Sequence, residues 1–247
     1  MIKEALQYIV GMSDIKTFKH NYEVYSDRQL YRVPNEIDCP EPLGVNTLSG
    51  FMDYVAANEG HIAECVDNPV YIQIVSPTEV RLVSVLNEDN KRATFIKATA
   101  LLPDQNFGRA LDQERFLIWL RTSFVDTENR QDMIQFCGCV TGNDVVNLDD
   151  DGVSQKVSVS TFVGTRDAIA PTDPVLRPFR TFVDIEQPES QFVFRAKKAD
   201  MGVGFVLYEA DGGAWKTAAM DTIRKYILKY MEDHQAAFEN REVIVIC

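Results

Sequence analysis

The stretch PVLRPFRTFVDIEQPESQFVFRAKKADMGVGFVLYEADGGAWKTAAMDTIRKYILKYM, residues 174–231, decides how the rest of the chain is read. Within it QFVFRA (191–196) and VGFVLYE (203–209) alternate with a period of two, the spacing of strands. Phe192 and Phe194 share one face of the first strand; Val203, Phe205 and Leu207 share one face of the second. Residues 197–202 connect them. After Asp211-Gly212-Gly213 the period lengthens to that of a helix, with Ala219 or Met220, Ile223, Ile227 and Tyr230 on the inner side. Asp221, Lys225 and Lys229 fall outside at i, i+4 spacing, the acid placed before the base as helices prefer.

Working outward toward the N-terminus, VSQKVSVSTF (153–162) reads as a strand with one wet face, entered from the turn Asp149-Asp150-Asp151-Gly152. Residues 164–174 read as a connecting loop. Two helices precede that strand. Asp112 caps QERFLIWLRTSF (113–124), which is apolar nearly all round and is expected to be buried on two sides. The next starts after Asp126 or Thr127 and carries Met133, Ile134, Phe136, Cys137 and Val140. It is expected to stop by Leu148, with Gly138 and Gly142 marking a close helix contact. A loop over 103–108 separates these helices from three β-branched runs at 70–75, 79–86 and 92–99, which predict an antiparallel meander. In its second strand Val80, Leu82 and Leu86 face the core and Arg81 faces away. Farther back, Thr47 or Asn46 caps a helix whose Leu48, Phe51, Met52 and Val55 share a face. The three prolines of 34–44 make that segment irregular. QLYRV (29–33) reads as a strand and 2–10 as a short helix. At the other end EVIVIC (242–247) is an apolar strand that needs cover from its own sheet or from another subunit.

These elements predict an α+β fold: antiparallel sheet, including the three-strand meander, with helices grouped mid-chain and near the C-terminus. The domain division expected is an N-terminal α/β part over 1–104 and a C-terminal α+β part over 105–247, or one continuous domain.

Composition narrows the partners. A net charge of −12, without a basic or acidic tail, disfavours general attraction to nucleic-acid phosphates. The opening MIKEALQYIVGM lacks the pattern of a signal peptide, and no apolar run is long enough to cross a membrane. Five cysteines, odd in number and without metal-finger spacing, read as free thiols in a reducing cytoplasm. Cys137 and Cys139 would point to different faces of their helix.

Three clusters carry candidate chemistry, each beside a structural alternative. The acidic run 149–151 either holds a divalent cation or is a solvated turn; the further ligands of an EF-hand loop are missing. The glycines of Glu209-Ala210-Asp211-Gly212-Gly213-Ala214-Trp215 either present free N–H groups to a ligand at the helix start or make a tight turn of positive φ. In the second reading Asp211 accepts from the helix start and Trp215 is packed. Arg177, Arg180 and Arg195, with Asp184 and Glu186, form an ion-pair network, a subunit interface or a phosphate site. His20, His61 and His234 are isolated, and no nucleophile elbow, Walker loop or dinucleotide fingerprint is present. No catalytic residue, metal ligand or cofactor is assigned; the ligand-binding candidates are Arg177, Arg180, Arg195, Glu209, Asp211, Gly212, Gly213 and Trp215.

RPFRTFVDIEQPESQFVFR (177–195) and LYEADGGAWKTAAMDTI (207–223), with FGRALDQERFLIWL (107–120) and DDGVSQKVSVSTFVGTRDA (150–168), resemble the YfdQ-like family of uncharacterised phage and prophage proteins. The resemblance covers roughly the last 140 residues and carries no catalytic residues across. It implies expression in the cytoplasm of an infected or lysogenic bacterium, near genes of replication, recombination or host takeover. The leading expectation is a non-enzymatic homo-oligomer that binds or sequesters a host factor or small ligand. One alternative is a nucleic-acid accessory protein, which needs Arg177, Arg180, Arg195, Lys197 and Lys198 on one surface. Another is a metal-dependent enzyme using Glu209 and Asp211.

Overall fold

The computed structural model describes residues 3, 16–20, 23–26, 41–57, 69–86, 90–139, 145–150, 155–161, 164–199, 202–239 and 242–247. The expected helix over 2–10 (Lys3 apart) and the expected strand over 29–33 lie outside them, as do Gly142 and the Asp151-Gly152 pair. The chain divides into two compact units, residues 1–41 with 86–93 and residues 42–85 with 94–247.

In the first unit β1 (Thr17–His20) and β2 (Glu23–Ser26) form an antiparallel hairpin in which Phe18 stacks on Tyr25.

The second unit is α+β. Its five-stranded sheet is built from β3 (Leu43–Val45), β4 (Val70–Ser76), β5 (Glu79–Ser84), β6 (Thr94–Thr99) and β13 (Val243–Ile246), in the order β13-β4-β5-β6-β3. The antiparallel meander β4-β5-β6 is the one the β-branched runs predict. β13 and β3 join its two edges in parallel, so the sheet is mixed, and the division expected at residue 104 is crossed by β13 pairing with β4. The prolines predict an irregular segment as far as Gly44, yet Leu43 and Gly44 are strand residues. Beyond Pro42 the chain regains its N–H donors, and Leu43 to Val45 pair with Ile96 to Ala98. Val80 and Leu82 face the core as read; Leu86 does not, because β5 ends at Ser84 and leaves Leu86 51% exposed.

Two helices cover one face of this sheet. α1 (Leu48–Ala57) buries Leu48, Phe51, Met52 and Val55, and α4 (Ala214–Asp233) buries Ala219, Ile223 and Ile227, the positions their periodicities select. With Ile72, Ile74, Val80, Leu82, Ile96 and Ala98 they make the first core. The opposite face carries Glu79, whose carboxylate pairs with Arg81 and, at 3.4 Å, with Lys97.

A second core is aromatic. β11 (Ser190–Ala199) and β12 (Gly202–Glu209) form a long hairpin edged by β10 (Val175–Leu176). Its Phe192, Phe194 and Phe205 pack on α2 (Gln113–Ser123) and α3 (Glu128–Cys139) through Phe116, Trp119, Met133 and Phe136. Asp112 caps α2 by accepting from the Arg115 N–H at 2.8 Å. α2 is buried on one side, not two: Phe116, Trp119 and Leu120 turn inward while Ile118 is 54% exposed, because the hairpin meets a single face. Thr127 accepts from the N–H of Arg130 at the start of α3. α3 is described as far as Cys139, and by Val145 the chain is already strand; a Cβ on Gly138 would meet no described atom within 4 Å, so no helix contact among the described residues explains that glycine.

The remaining sheet corrects two more expectations. β7 (Val145–Asp150), β8 (Gln155–Thr161) and β9 (Gly164–Ile169) form an antiparallel meander. Asp149 and Asp150, expected in a helix-to-strand turn, are strand residues paired with Lys156 and Gln155. Residues 164–169, expected as loop, pair with β8 from Thr161↔Gly164 to Lys156↔Ile169.

Candidate functional site

Residues 176–190 run as a strap between the cores: Leu176 belongs to the aromatic core, Phe182 and Ile185 to the sheet core. Prolines at 178 and 188 keep the strap out of regular structure, so its backbone groups need partners elsewhere. The Phe179 N–H donates to the Ser123 carbonyl and the Val125 N–H to that of Arg177, both at 2.9 Å, beside the bridge between Phe124 and Pro178. Buried Gln187 holds the bend. Its Oε1 accepts from the N–H groups of Arg180 and Thr181, and its Nε2 donates to the Phe182 carbonyl at 2.9 Å. The Thr181 hydroxyl donates to the Pro77 carbonyl at 2.6 Å, tying the strap to the β4–β5 turn.

Arg180 is the centre of the site. Only 3% exposed, it donates through one terminal nitrogen to Glu209 Oε1 at 2.7 Å and through the other to the Ser190 hydroxyl. Ser190 in turn donates to Asp211. The guanidinium carbon lies 4.2 Å from the centre of the Trp215 ring and 5.8 Å from that of Phe192, so a cation sits on aromatic faces as well as between carboxylates. Burial works against its charge and lowers its proton affinity, while Glu209 and Asp211 push the other way; arginine stays protonated in proteins regardless. Its Nε–H is buried and, among the described residues, has no hydrogen-bond partner.

The turn reading of 209–215 matches this geometry. Gly212 and Gly213 have φ of 62° and 85°, the left-handed region. Asp211 accepts from the N–H groups of Gly213 at 3.0 Å and Trp215 at 3.4 Å, so its carboxylate meets the open start of α4. Burial alone would raise the Asp211 carboxyl. The hydrogen bonds from Ser190, Gly213 and Trp215, together with Arg180, outweigh it and hold the group below its usual value.

The other candidates lie apart. Arg177 is bound by Glu189 and Glu186, with contacts of 2.6 Å to each. Arg195 sits on the opposite parity of β11 from Phe192 and donates to the Phe194 carbonyl. Lys197 bonds the Tyr208 hydroxyl at 2.8 Å. The arginines therefore do not gather on one surface, because Arg180 is buried. Asp184, read as an ion-pair partner, caps α1 instead: it accepts from the N–H groups of Leu48 at 2.9 Å and Ser49 at 3.2 Å. Among the described residues no three His, Cys, Asp or Glu side chains gather as a metal-binding group. Cys137 is buried, which pushes its thiol pKa up, and Cys139 is exposed, as their spacing predicts.

Sequence reasoning missed Ser190 and Gln187. Ser190 shares the parity of Phe192 and Phe194, and a lone hydroxyl on an aromatic face was the available signal. Gln187 had none, since its role depends on how the strap bends. Also missed was an open groove of about 430 Å³ between α2 and the 103–111 segment, walled by Pro103, Leu111, Ile118 and Trp119 with Arg115 at its rim. Searches among known families, curated proteins and solved structures found no match to this chain.

Proposed function

We propose that this chain is a non-enzymatic phage protein that works by binding, as a homo-oligomer in the host cytoplasm, with a host factor or small ligand as its target. The observation that supports the reading is how the conspicuous polar residues are used. Arg180, Glu209, Ser190, Asp211 and Trp215 partner one another at the joint between two cores. A general acid, base or nucleophile has to reach a reacting atom, yet Asp211 already accepts three hydrogen bonds and Glu209 is ion-paired. Networks of this kind rigidify a fold, and a rigid body with unused surface suits recognition.

The surface offers places for it. Leu101, Val183 and Ile118 are 71%, 69% and 54% exposed. The groove beside Trp119 has the volume of a small-molecule site; its Arg115 pairs with Asp112 at 3.4 Å and Asp104 also lines it, so what it offers a ligand is the apolar wall of Pro103, Leu111, Ile118 and Trp119. The phage setting rests on the four blocks that resemble the YfdQ-like proteins. Mass measurement of intact complexes at micromolar concentration, with identification of co-purifying molecules, tests the proposal. A multimer carrying a bound factor or small molecule is expected. A bare monomer that binds nothing from a host extract would overturn it.

A further inference from the structure

We infer that the groove beside α2 takes a small uncharged molecule with a flat apolar body and a carbonyl that accepts from the Ser123 hydroxyl. This rests on the small-ligand part of the reading above and names the ligand class. The groove holds about 430 Å³, within the range of small-molecule sites. Every residue of its wall belongs to the unbroken described stretch 90–139. Pro103, Leu111, Ile118 and Trp119 give it apolar sides. Trp119 is fixed before any ligand arrives: its Nε1–H donates to the Asp104 carbonyl at 3.2 Å, and its ring meets Phe107, Phe116 and Phe124 edge to face. A wall already ordered costs little entropy on binding.

Ser123, the last residue of α2, makes the groove more than an apolar surface. Other polar groups of the wall are already used. The Thr122 hydroxyl donates to the Ile118 carbonyl at 3.0 Å, and the Ser123 carbonyl accepts from the Phe179 N–H at 2.9 Å. The Ser123 hydroxyl is different. Ser123 is 2% exposed, it lines the groove, and among the described residues no hydrogen bond reaches its hydroxyl. What surface it keeps therefore opens on the groove. A hydroxyl held from water without a partner costs free energy, and a ligand group that pairs with it recovers that cost.

The charges at the mouth set the rest of the class. Arg115 is paired with Asp112, both well exposed, and the exposed Asp104 stands on the same wall. An anion meets a carboxylate and an arginine already answered. A cation gives up water to apolar walls for one screened carboxylate. An uncharged ring with a carbonyl escapes both costs and supplies the acceptor that the hydroxyl lacks.

A matched series on one ring tests this: acetophenone, ethylbenzene without the carbonyl, and benzoate and benzamidine with charge of either sign. 5-Fluorotryptophan at both tryptophans gives fluorine NMR signals, that of Trp119 assigned with Trp215→Phe. Acetophenone is expected to shift the Trp119 signal with millimolar Kd and to bind more tightly than the other three by about fivefold, the worth of one neutral hydrogen bond. Ser123→Ala should erase that margin, leaving ethylbenzene binding and the thermal midpoint unchanged. Ile118→Glu, at a side chain 54% exposed, should remove acetophenone binding with the fold kept. Equal affinity across the series, or a margin that survives Ser123→Ala, would overturn the role of the hydroxyl. A lower thermal midpoint in Ser123→Ala would overturn it too, by showing that the hydroxyl already has a partner. No shift of Trp119 with any of the four would remove the groove as a site, while a multimer or a co-purifying factor would leave the proposed function standing. A bare monomer that binds acetophenone through Ser123 would do the reverse: the groove would stand and the oligomer would fall.

Discussion

A guanidinium with 3% of its surface exposed must have its charge answered in place. Arg180 has a fork that reaches Glu209 and Ser190 at once and a flat face that lies on Trp215, and lysine can reproduce neither. Arg180→Lys is expected to cost about 3 kcal/mol, the low end for breaking a buried pair because Glu209 can rehydrate. Chemical denaturation with an unchanged slope would register it. Asp211 adds a pH signature. Its carboxyl is held below the usual value, so the stability it contributes is complete above about pH 4 and disappears as pH falls through the folded-state pKa. Asp211→Asn should therefore be less stable at neutral pH by about 1 kcal/mol, the worth of a cap, yet lose less than wild type on acidification. Parallel acid losses in the two proteins would refute this. Gly213→Ala isolates backbone strain: at φ 85° a Cβ would meet nothing nearer than Lys216 Cδ at 4.0 Å, so the expected cost of about 1–2 kcal/mol is conformational. The glycines and Asp211 were legible in sequence because their roles are local. That Arg180, of three arginines, would be the buried one was not, since this depends on a strap meeting a hairpin.

At the scale of elements, α1 shows a cap assembled from two distant places. The Thr47 hydroxyl accepts from the Gly50 N–H at 3.1 Å, and Asp184, far along the chain, takes those of Leu48 and Ser49. Asp184→Ala should cost about 1 kcal/mol, and with Thr47→Ala the losses should not simply add, because both serve one helix end; a double-mutant cycle measures the coupling. The α1 and α4 helices are tied by the Tyr230 hydroxyl, which donates to Asp53 at 2.7 Å. Burial, with that bond and the Asp53 charge, pushes the Tyr230 pKa up to about 12. The contribution is full below the unfolded value near 10 and is lost as pH rises toward 12, so wild type should lose stability there more steeply than Tyr230→Phe. The buried faces of α1, α4 and the meander were readable because a helix or a half-buried strand writes its period into the sequence. β7 and β9 were not readable. Residues 145–150 and 164–169 become strands only by pairing with β8, and such pairing leaves no local period. The exposed Ile118 failed for a related reason: an apolar residue marks a core only if something arrives to cover it.

Across the larger unit the strap couples two cores of different character, one built on aliphatic sheet and helix packing, the other on aromatic rings that meet mostly edge to face. Phe182 and Ile185 anchor it in the first, Leu176 in the second, and Arg180 sits between the anchors. If the strap carries the coupling, weakening its grip on one core should separate their unfolding. Phe182 is fully buried and α1 and α4 pack in the same core, whereas Trp119 lies in the aromatic core and Trp215 against Arg180. In a Trp215→Phe background, where Trp119 alone fluoresces, emission therefore reports the aromatic side, and circular dichroism sees both, α1 and α4 with 10 and 20 residues against 11 and 12 in α2 and α3. Wild-type residues 42–85 and 94–247 should melt with the two signals coincident, the mark of one cooperative transition. Phe182→Ala, expected to cost about 3–5 kcal/mol, should bring the dichroism transition to lower denaturant while the fluorescence transition lags. Equal shifts in both signals would mean that the cores are joined by more than the strap, through the shared chain of β11, β12 and α4.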